Sequence, residues 1–236
     1  MKILFACDLD GTLIHSYKKR REDDICVEIY DGREQSFISR RELALLREIS
    51  TKILFIPVTT RSFEQYRRIF WAKGLKIRYA MVANGAIFLD GEQKTFFQEI
   101  IAPYATELEF QCKKYADDEN FTICRIVDES FLFLRCRDEL NAADFRFETN
   151  LTVQCTEKKI YLFPPPLNKG NAVNFLAERF NPDKIICAGD TDIDLPMLKL
   201  ADVAFIKKNL HDVSRKDFVA FSLAEEFLEL ISLNLL

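Results

Sequence analysis

Short apolar runs, unbroken rather than alternating, recur in the first and last parts of the chain: KILFAC (Lys2–Cys7), KILFIPV (Lys52–Val58), YAMVA (Tyr79–Ala83), KIICAG (Lys184–Gly189), VAFI (Val203–Ile206) and FVAF (Phe218–Phe221). Such runs predict strands buried on both faces, as in a parallel sheet. Helical spacing lies between them. Ser62 precedes Phe63, Tyr66, Ile69 and Phe70; Asn168 precedes Ala172, Val173, Phe175, Leu176 and Phe180. Ser222 opens a last helix, with Glu225 completing a capping box. Strands alternating with helices predict βαβ units, hence an α/β fold with a Rossmann-like parallel sheet.

The middle of the chain follows another pattern. Asn84-Gly85 signals a tight turn, and Tyr104–Tyr115 has the spacing of a helix. Two strand-like runs follow, FTICRIV and FLFLRCR, then a short helical piece over Asp138–Phe145, then LTVQCT and KIYLF. Strands in succession joined by short turns predict an antiparallel sheet, and Pro164-Pro165-Pro166 reads as a hinge back to the first pattern. The expected organisation is a core domain of residues 1–85 and 167–236, interrupted by a small α+β domain of residues 86–166.

A chain of 236 residues, 48% hydrophobic, suits one such domain carrying an insert. The net charge is −4, and the basic run Lys18–Arg21 meets Glu22-Asp23-Asp24 at once, so it reads as a solvated loop rather than a nucleic-acid surface. No apolar segment reaches the ~18 residues of a membrane span. Asp8 and Asp10 interrupt the first apolar run, which argues against a signal peptide. Seven scattered cysteines without a C-x-x-C pair predict reduced thiols and a cytoplasmic location. His15 and His211 are too far apart to suggest a zinc site.

The chemistry gathers at predicted strand ends, where open parallel sheets bind their ligands. Asp8 and Asp10 follow the first strand, Thr59 and Thr60 the second, and Asp190, Asp192 and Asp194 the strand KIICAG; Lys169 stands at a helix start after the prolines. Acids converging on one crevice repel one another unless a cation sits among them. Oxygen ligands without histidine or thiolate favour a hard ion, Mg²⁺ first. A calcium loop of the EF-hand type is excluded: the Gly and Glu it needs at its sixth and twelfth positions are Leu195 and Ala201 counted from Asp190, and Leu13 and Lys19 counted from Asp8.

The four motifs in this order, DLDGTL, VTTRS, Lys169 and GDTDIDLPML, resemble those of the haloacid dehalogenase (HAD) superfamily phosphatases. An insert between the second and third motifs resembles the type IIB cap of the Cof-type and sucrose-phosphate phosphatase-like enzymes. The resemblance implies a Mg²⁺-dependent phosphatase acting on a small phosphorylated metabolite such as a sugar phosphate. Asp8 would be the nucleophile and Asp10 the proton donor and acceptor. Thr59, Lys169 and Gly11 would serve the phosphoryl group. Asp8, the backbone carbonyl of Asp10, Asp190 and Asp194 would hold the metal. Arg125, Arg135, Arg137, Lys158 and Lys159 in the cap are candidates for substrate choice. Two positions depart from the family pattern: Thr60 stands where Gly is usual, and Ile193 where Asn is usual. The alternatives are a phosphomutase of the same superfamily and a non-catalytic binding protein that keeps the fold.

Overall fold

The computed structural model describes residues 1–71, 75–208, 210 and 218–235; His211 lies outside them. β1 (Ile3–Cys7) leads straight into the Asp8–Gly11 turn. Then come β2 (His15–Ser16), β3 (Asp24–Tyr30) and β4 (Arg33–Ser39), an antiparallel sheet in the order β2-β4-β3 that the apolar pattern does not announce. α1 (Arg40–Ser50) starts from a reciprocal cap between Ser39 and Glu42. β5 (Leu54–Pro57) is followed by α2 (Phe63–Arg67), which stops short of the predicted Ile69 and Phe70. The amide of Phe70 donates instead to the Val27 carbonyl, which draws the chain out of the helix and onto β3.

β6 (Tyr79–Val82), β7 (Ile87–Asp90) and β8 (Gln93–Phe96) form an antiparallel meander. Its first turn places Asn84 and Gly85 at positive φ, as the Asn-Gly signal requires. α3 (Gln98–Ile101) and α4 (Ala105–Tyr115) follow. β9 (Phe121–Val127), β10 (Phe131–Cys136), β11 (Thr152–Thr156) and β12 (Lys159–Phe163) make a four-stranded antiparallel sheet, ordered β11-β12-β10-β9. The chain closes with α5 (Lys169–Phe180), β13 (Lys184–Gly189), α6 (Leu195–Leu198), β14 (Val203–Lys207), β15 (Phe218–Phe221) and α7 (Ala224–Leu235). At the start of α7 it is Glu226 that accepts from the Ser222 and Leu223 amides; the expected Glu225 pairs with Arg41 of α1 instead.

The parallel sheet runs β15-β14-β13-β1-β5, and a parallel bridge from Val58 to Met81 adds β6 beyond β5. In chain order this is the doubly wound arrangement, with its reversal between β1 and β13, where open α/β sheets bind ligands. β1 explains the layers. Its alternate residues Ile3, Phe5 and Cys7 pack with Leu46 of α1 and Phe227 of α7, while Leu4 and Ala6 pack with Val173 of α5 and Met197 of α6. Both faces of the strand are covered, so its sequence is apolar without alternation.

The β6–β7 hairpin is shared in the same way. Ala80, Val82, Ile87 and Leu89 join the apolar cluster under the four-stranded sheet, whereas Met81 and Phe88 join the cluster of the parallel sheet. No helix among the described residues is long and apolar enough to cross a membrane.

Candidate active site

β1 and β13 end side by side, joined by the Asp8 amide donating to the Ala188 carbonyl at 2.9 Å. Asp8 and Asp190 therefore leave the sheet at neighbouring points. Asp194 arrives from the turn after β13. Its Oδ2 accepts from the amides of Asp190 and Thr191 and from the Thr191 hydroxyl, all at 2.9–3.0 Å. Gly189 makes this possible, since a Cβ there would lie 2.4 Å from that of Asp194. Asp8, Asp190 and Asp194 each bring a carboxylate oxygen within 4.8 Å of the others.

Lys169, the first residue of α5, is 1% exposed, and its Nζ donates to Asp8 Oδ1 at 2.5 Å and to Asp194 Oδ1 at 2.6 Å. One buried cation thus sits among three carboxyl groups. Burial pushes the Asp8 carboxyl well above the usual carboxylate range; Lys169 opposes the rise, and Asp194 and Asp190 add to it. Asp190 is pushed up to about 7, by burial first and by the charge of Asp194 next. Burial presses the Lys169 ammonium down, but Asp194 and Asp8 outweigh it and hold the group charged. A cluster short of positive charge, built of oxygen donors alone, fits a hard divalent cation. Gly11 fits as well: at φ +87° it brings bare backbone against Asp190, where a Cβ would lie 2.1 Å from Oδ2.

Asp10 contributes no carboxylate to this cluster. Its side chain turns to the far wall, where Arg61 donates from Nε to Oδ2 at 2.6 Å and from Nη2 to Oδ1 at 2.8 Å. The protein packed around the crevice pushes the Asp10 carboxyl up, but the Arg61 charge and its paired hydrogen bonds prevail and hold it below the usual range. Thr59 is fully buried behind β5, and its Oγ1 accepts from the Arg61 amide at 3.2 Å, which leaves its single O–H for donation. No hydrogen bond joins it to Asp8 among the described residues.

Several groups escape the sequence reading. Arg61 has a further partner in Glu28 of β3, which also accepts from Arg68 and Ser36 and is 3% exposed. Lys207, at the end of β14, donates to the Gly11 carbonyl at 3.0 Å. A lysine closing the apolar run VAFI was the signal for it; nothing in the local pattern marked Glu28. Ile193, in the position where Asn was expected, is buried in the cluster under the four-stranded sheet. The crevice, about 710 Å³, lies between Asp10 and Asp190 below, the β3–β4 hairpin on one side, and Arg125, Phe133, Lys159 and Tyr161 of the four-stranded sheet above. Arg137 and Lys158, expected as substrate contacts, bond to the backbone carbonyls of Glu119 and Leu140 and do not line it.

No curated protein matches the sequence. Among solved structures, the sucrose-phosphatase of Synechocystis, in complex with sucrose and phosphate, is 16% identical over 98% of each chain, with a TM-score of 0.67. A trehalose-6-phosphate phosphatase related protein is 18% identical over 98% of this chain and 97% of its own, with a TM-score of 0.62. The trehalose-6-phosphate phosphatase of Aspergillus fumigatus is 14% identical over 98% and 92%, at 0.57. These similarities establish a shared fold. The sequence profile of haloacid dehalogenase-like hydrolases matches residues 5–142 and 112–216, which together span most of the chain and all four motifs, and the chain belongs to that family.

Proposed function

We propose that the protein is a Mg²⁺-dependent phosphatase that hydrolyses a small phosphorylated metabolite through an aspartyl-phosphate. The observation that carries this reading is Lys169 held between Asp8 and Asp194 at the reversal point of the sheet, with Asp190 alongside. Asp8, Asp190 and the Asp10 carbonyl would hold the metal, which when bound shields the carboxylate nucleophile from the anionic substrate. Both oxygens of Asp194 are already engaged, by Lys169 and by the Asp190 and Thr191 amides, so it serves the site best by fixing Lys169 and the turn that carries Asp190.

Lys169 takes Oδ1 of Asp8, leaving Oδ2 to attack phosphorus. The P–O ester bond breaks, and the leaving oxygen takes a proton from Asp10. Water then attacks the acyl phosphate, gives a proton to Asp10, and releases phosphate and free Asp8. In the resting geometry Arg61 keeps Asp10 ionised, so Asp10 must gain a proton as substrate arrives. The negative charge of a phosphate monoester entering beside it favours that protonation. The Thr59 hydroxyl and Lys169 would donate to the phosphoryl oxygens, with Gly11 shaping the turn.

Residues 86–166 would act as the cap, and the sugar phosphatases of the same fold support a sugar phosphate as substrate. Seven free cysteines suit a cytoplasmic enzyme. The test is phosphate release from a panel of phosphorylated metabolites and p-nitrophenyl phosphate with Mg²⁺. Release should stop with EDTA and in Asp8→Asn, and return when Mg²⁺ is restored to the wild type. Full activity after exhaustive chelation would defeat the proposal, and isomer formation without phosphate release would identify a mutase.

A further inference from the structure

The roof of the crevice is one face of the four-stranded sheet, and side chains alternate along each strand. The register sets Arg125 opposite Phe133 and Phe133 opposite Tyr161, then Arg135 opposite Lys159 one pair along. A lid that only excluded water would be apolar throughout. Here three cations interrupt an aromatic face inside a concavity.

Their pairing is the informative part. Arg135 and Lys159 are direct cross-strand partners, and like charges in that position destabilise a sheet. Arg135 has one carboxylate neighbour, Asp138 at 3.2 Å, whose side chain is 85% exposed and screened by solvent. Arg125 rests over the Phe133 ring at 5.9 Å, and neither it nor Lys159 has a carboxylate partner among the described residues. Lys159 also lies near enough to Asp10 to help hold that carboxyl down. Low-dielectric walls concentrate the field of such a group on whatever enters the crevice.

We infer that the substrate carries a second anionic group at the end remote from its phosphoryl ester, and that Arg135 and Lys159, with Arg125 beside them, receive it. The inference rests on the phosphatase reading for the position of the ester, at Asp8 and Lys169. The phosphoryl group is served from the floor, so the roof cations are left for another charge. A neutral sugar end would leave Arg135 facing Lys159 with nothing between them. The class is a phosphorylated acid or a bisphosphate.

The test compares three compounds with one six-carbon skeleton: glucose 6-phosphate, 6-phosphogluconate and glucose 1,6-bisphosphate. Their binding to Asp8→Asn protein, measured by calorimetry with Mg²⁺, needs no turnover. Roughly tenfold or tighter binding of at least one of the charged-ended compounds over glucose 6-phosphate is expected, weakening as salt is raised. The two charged arms tell carboxylate from phosphate. In Arg135→Gln and Lys159→Gln, added singly and together, the ratio of charged to neutral affinity should fall toward one. Equal affinities for all three compounds, or a preference that survives the double variant, would overturn the inference. Wild-type turnover of p-nitrophenyl phosphate reports separately on the phosphatase reading, so the two failures are distinguishable.

Discussion

Arg61 grips both carboxylate oxygens of Asp10, through Nε at 2.6 Å and Nη2 at 2.8 Å, while the third nitrogen of the same guanidinium, Nη1, reaches buried Glu28 at 2.9 Å. The planar fork matches a carboxylate in a way that lysine cannot. Glu28 in turn is fixed by Ser36 at 2.6 Å and Arg68 at 3.0 Å. The β3–β4 hairpin therefore sets the orientation and the charge state of a residue at the end of β1.

That relationship predicts a pH effect. Arg61 lowers the Asp10 carboxyl, so its removal raises it. A general acid with a higher pKa keeps its proton to higher pH. In Arg61→Gln, the alkaline limb of kcat for an alkyl phosphate should move upward. Turnover of p-nitrophenyl phosphate, whose leaving group needs no proton, should respond less. An unmoved limb with the alkyl ester would remove Asp10 from the proton-transfer step.

A second pH effect belongs to stability. Asp24 accepts from His15 Nε2 at 2.5 Å and from the Arg21 amide at 2.6 Å. Burial pushes its carboxyl up, but the Arg21 amide and His15 outweigh that and bring it below the usual value. A carboxyl lowered on folding stabilises the protein above its unfolded pKa of about 3.9. The contribution is lost as pH falls through the folded value. Asp24→Asn should therefore melt below the wild type at neutral pH, and the gap should close toward pH 3, followed by circular dichroism. A gap that stays constant with pH would show that shape, not charge, is at stake.

Lys169 carries the sharpest mutational expectation. Lys169→Met fills similar space without charge and leaves Asp8 and Asp194 uncompensated. We expect kcat/KM to fall by roughly a hundredfold or more, about 2.7 kcal/mol. Stability in the absence of Mg²⁺ should fall too, by about 3 kcal/mol, because breaking a buried ion pair strands its partners. A loss under about threefold in kcat/KM would exclude Lys169 from the reaction.

The sheet and the acid cluster were legible because both are written locally. Unbroken apolar runs such as KILFAC report burial on two faces, and the order of strand ends and of the α5 start brings Asp8, Asp190 and Lys169 together whatever the loops do. The β3–β4 hairpin was not legible. Its apolar positions are broken by Glu28 and Glu34, and its register shifts at Cys26 and Glu28 blur any alternation. Glu28 itself reads as a surface acid, since only tertiary partners far along the chain make its burial tolerable. The end of α2 was missed for the same reason: the Phe70–Val27 hydrogen bond lies outside any helical window. Arg61 stands within VTTRS, but its hold on Asp10 depends on the hairpin.

Gly11 offers the cleanest local test. Its φ of +87° is costly for any L-residue, and an added Cβ would lie 2.1 Å from Asp190 Oδ2. Gly32, in the turn between β3 and β4, also has positive φ, +70°, but nothing stands within 4 Å of its Cβ position. The two glycines separate backbone strain from steric displacement of the acid. Gly32→Ala should cost about 1 kcal/mol of stability and leave phosphate release near the wild-type rate. Gly11→Ala should cost a similar backbone penalty and also force Asp190 aside. Its apparent affinity for Mg²⁺, read from the activation curve, should weaken by roughly tenfold or more, a loss of about 1.4 kcal/mol. Isothermal titration of Mg²⁺ into each variant gives the same comparison without turnover. If Gly11→Ala and Gly32→Ala bind Mg²⁺ equally well, Asp190 is not the acid that the Gly11 turn makes room for.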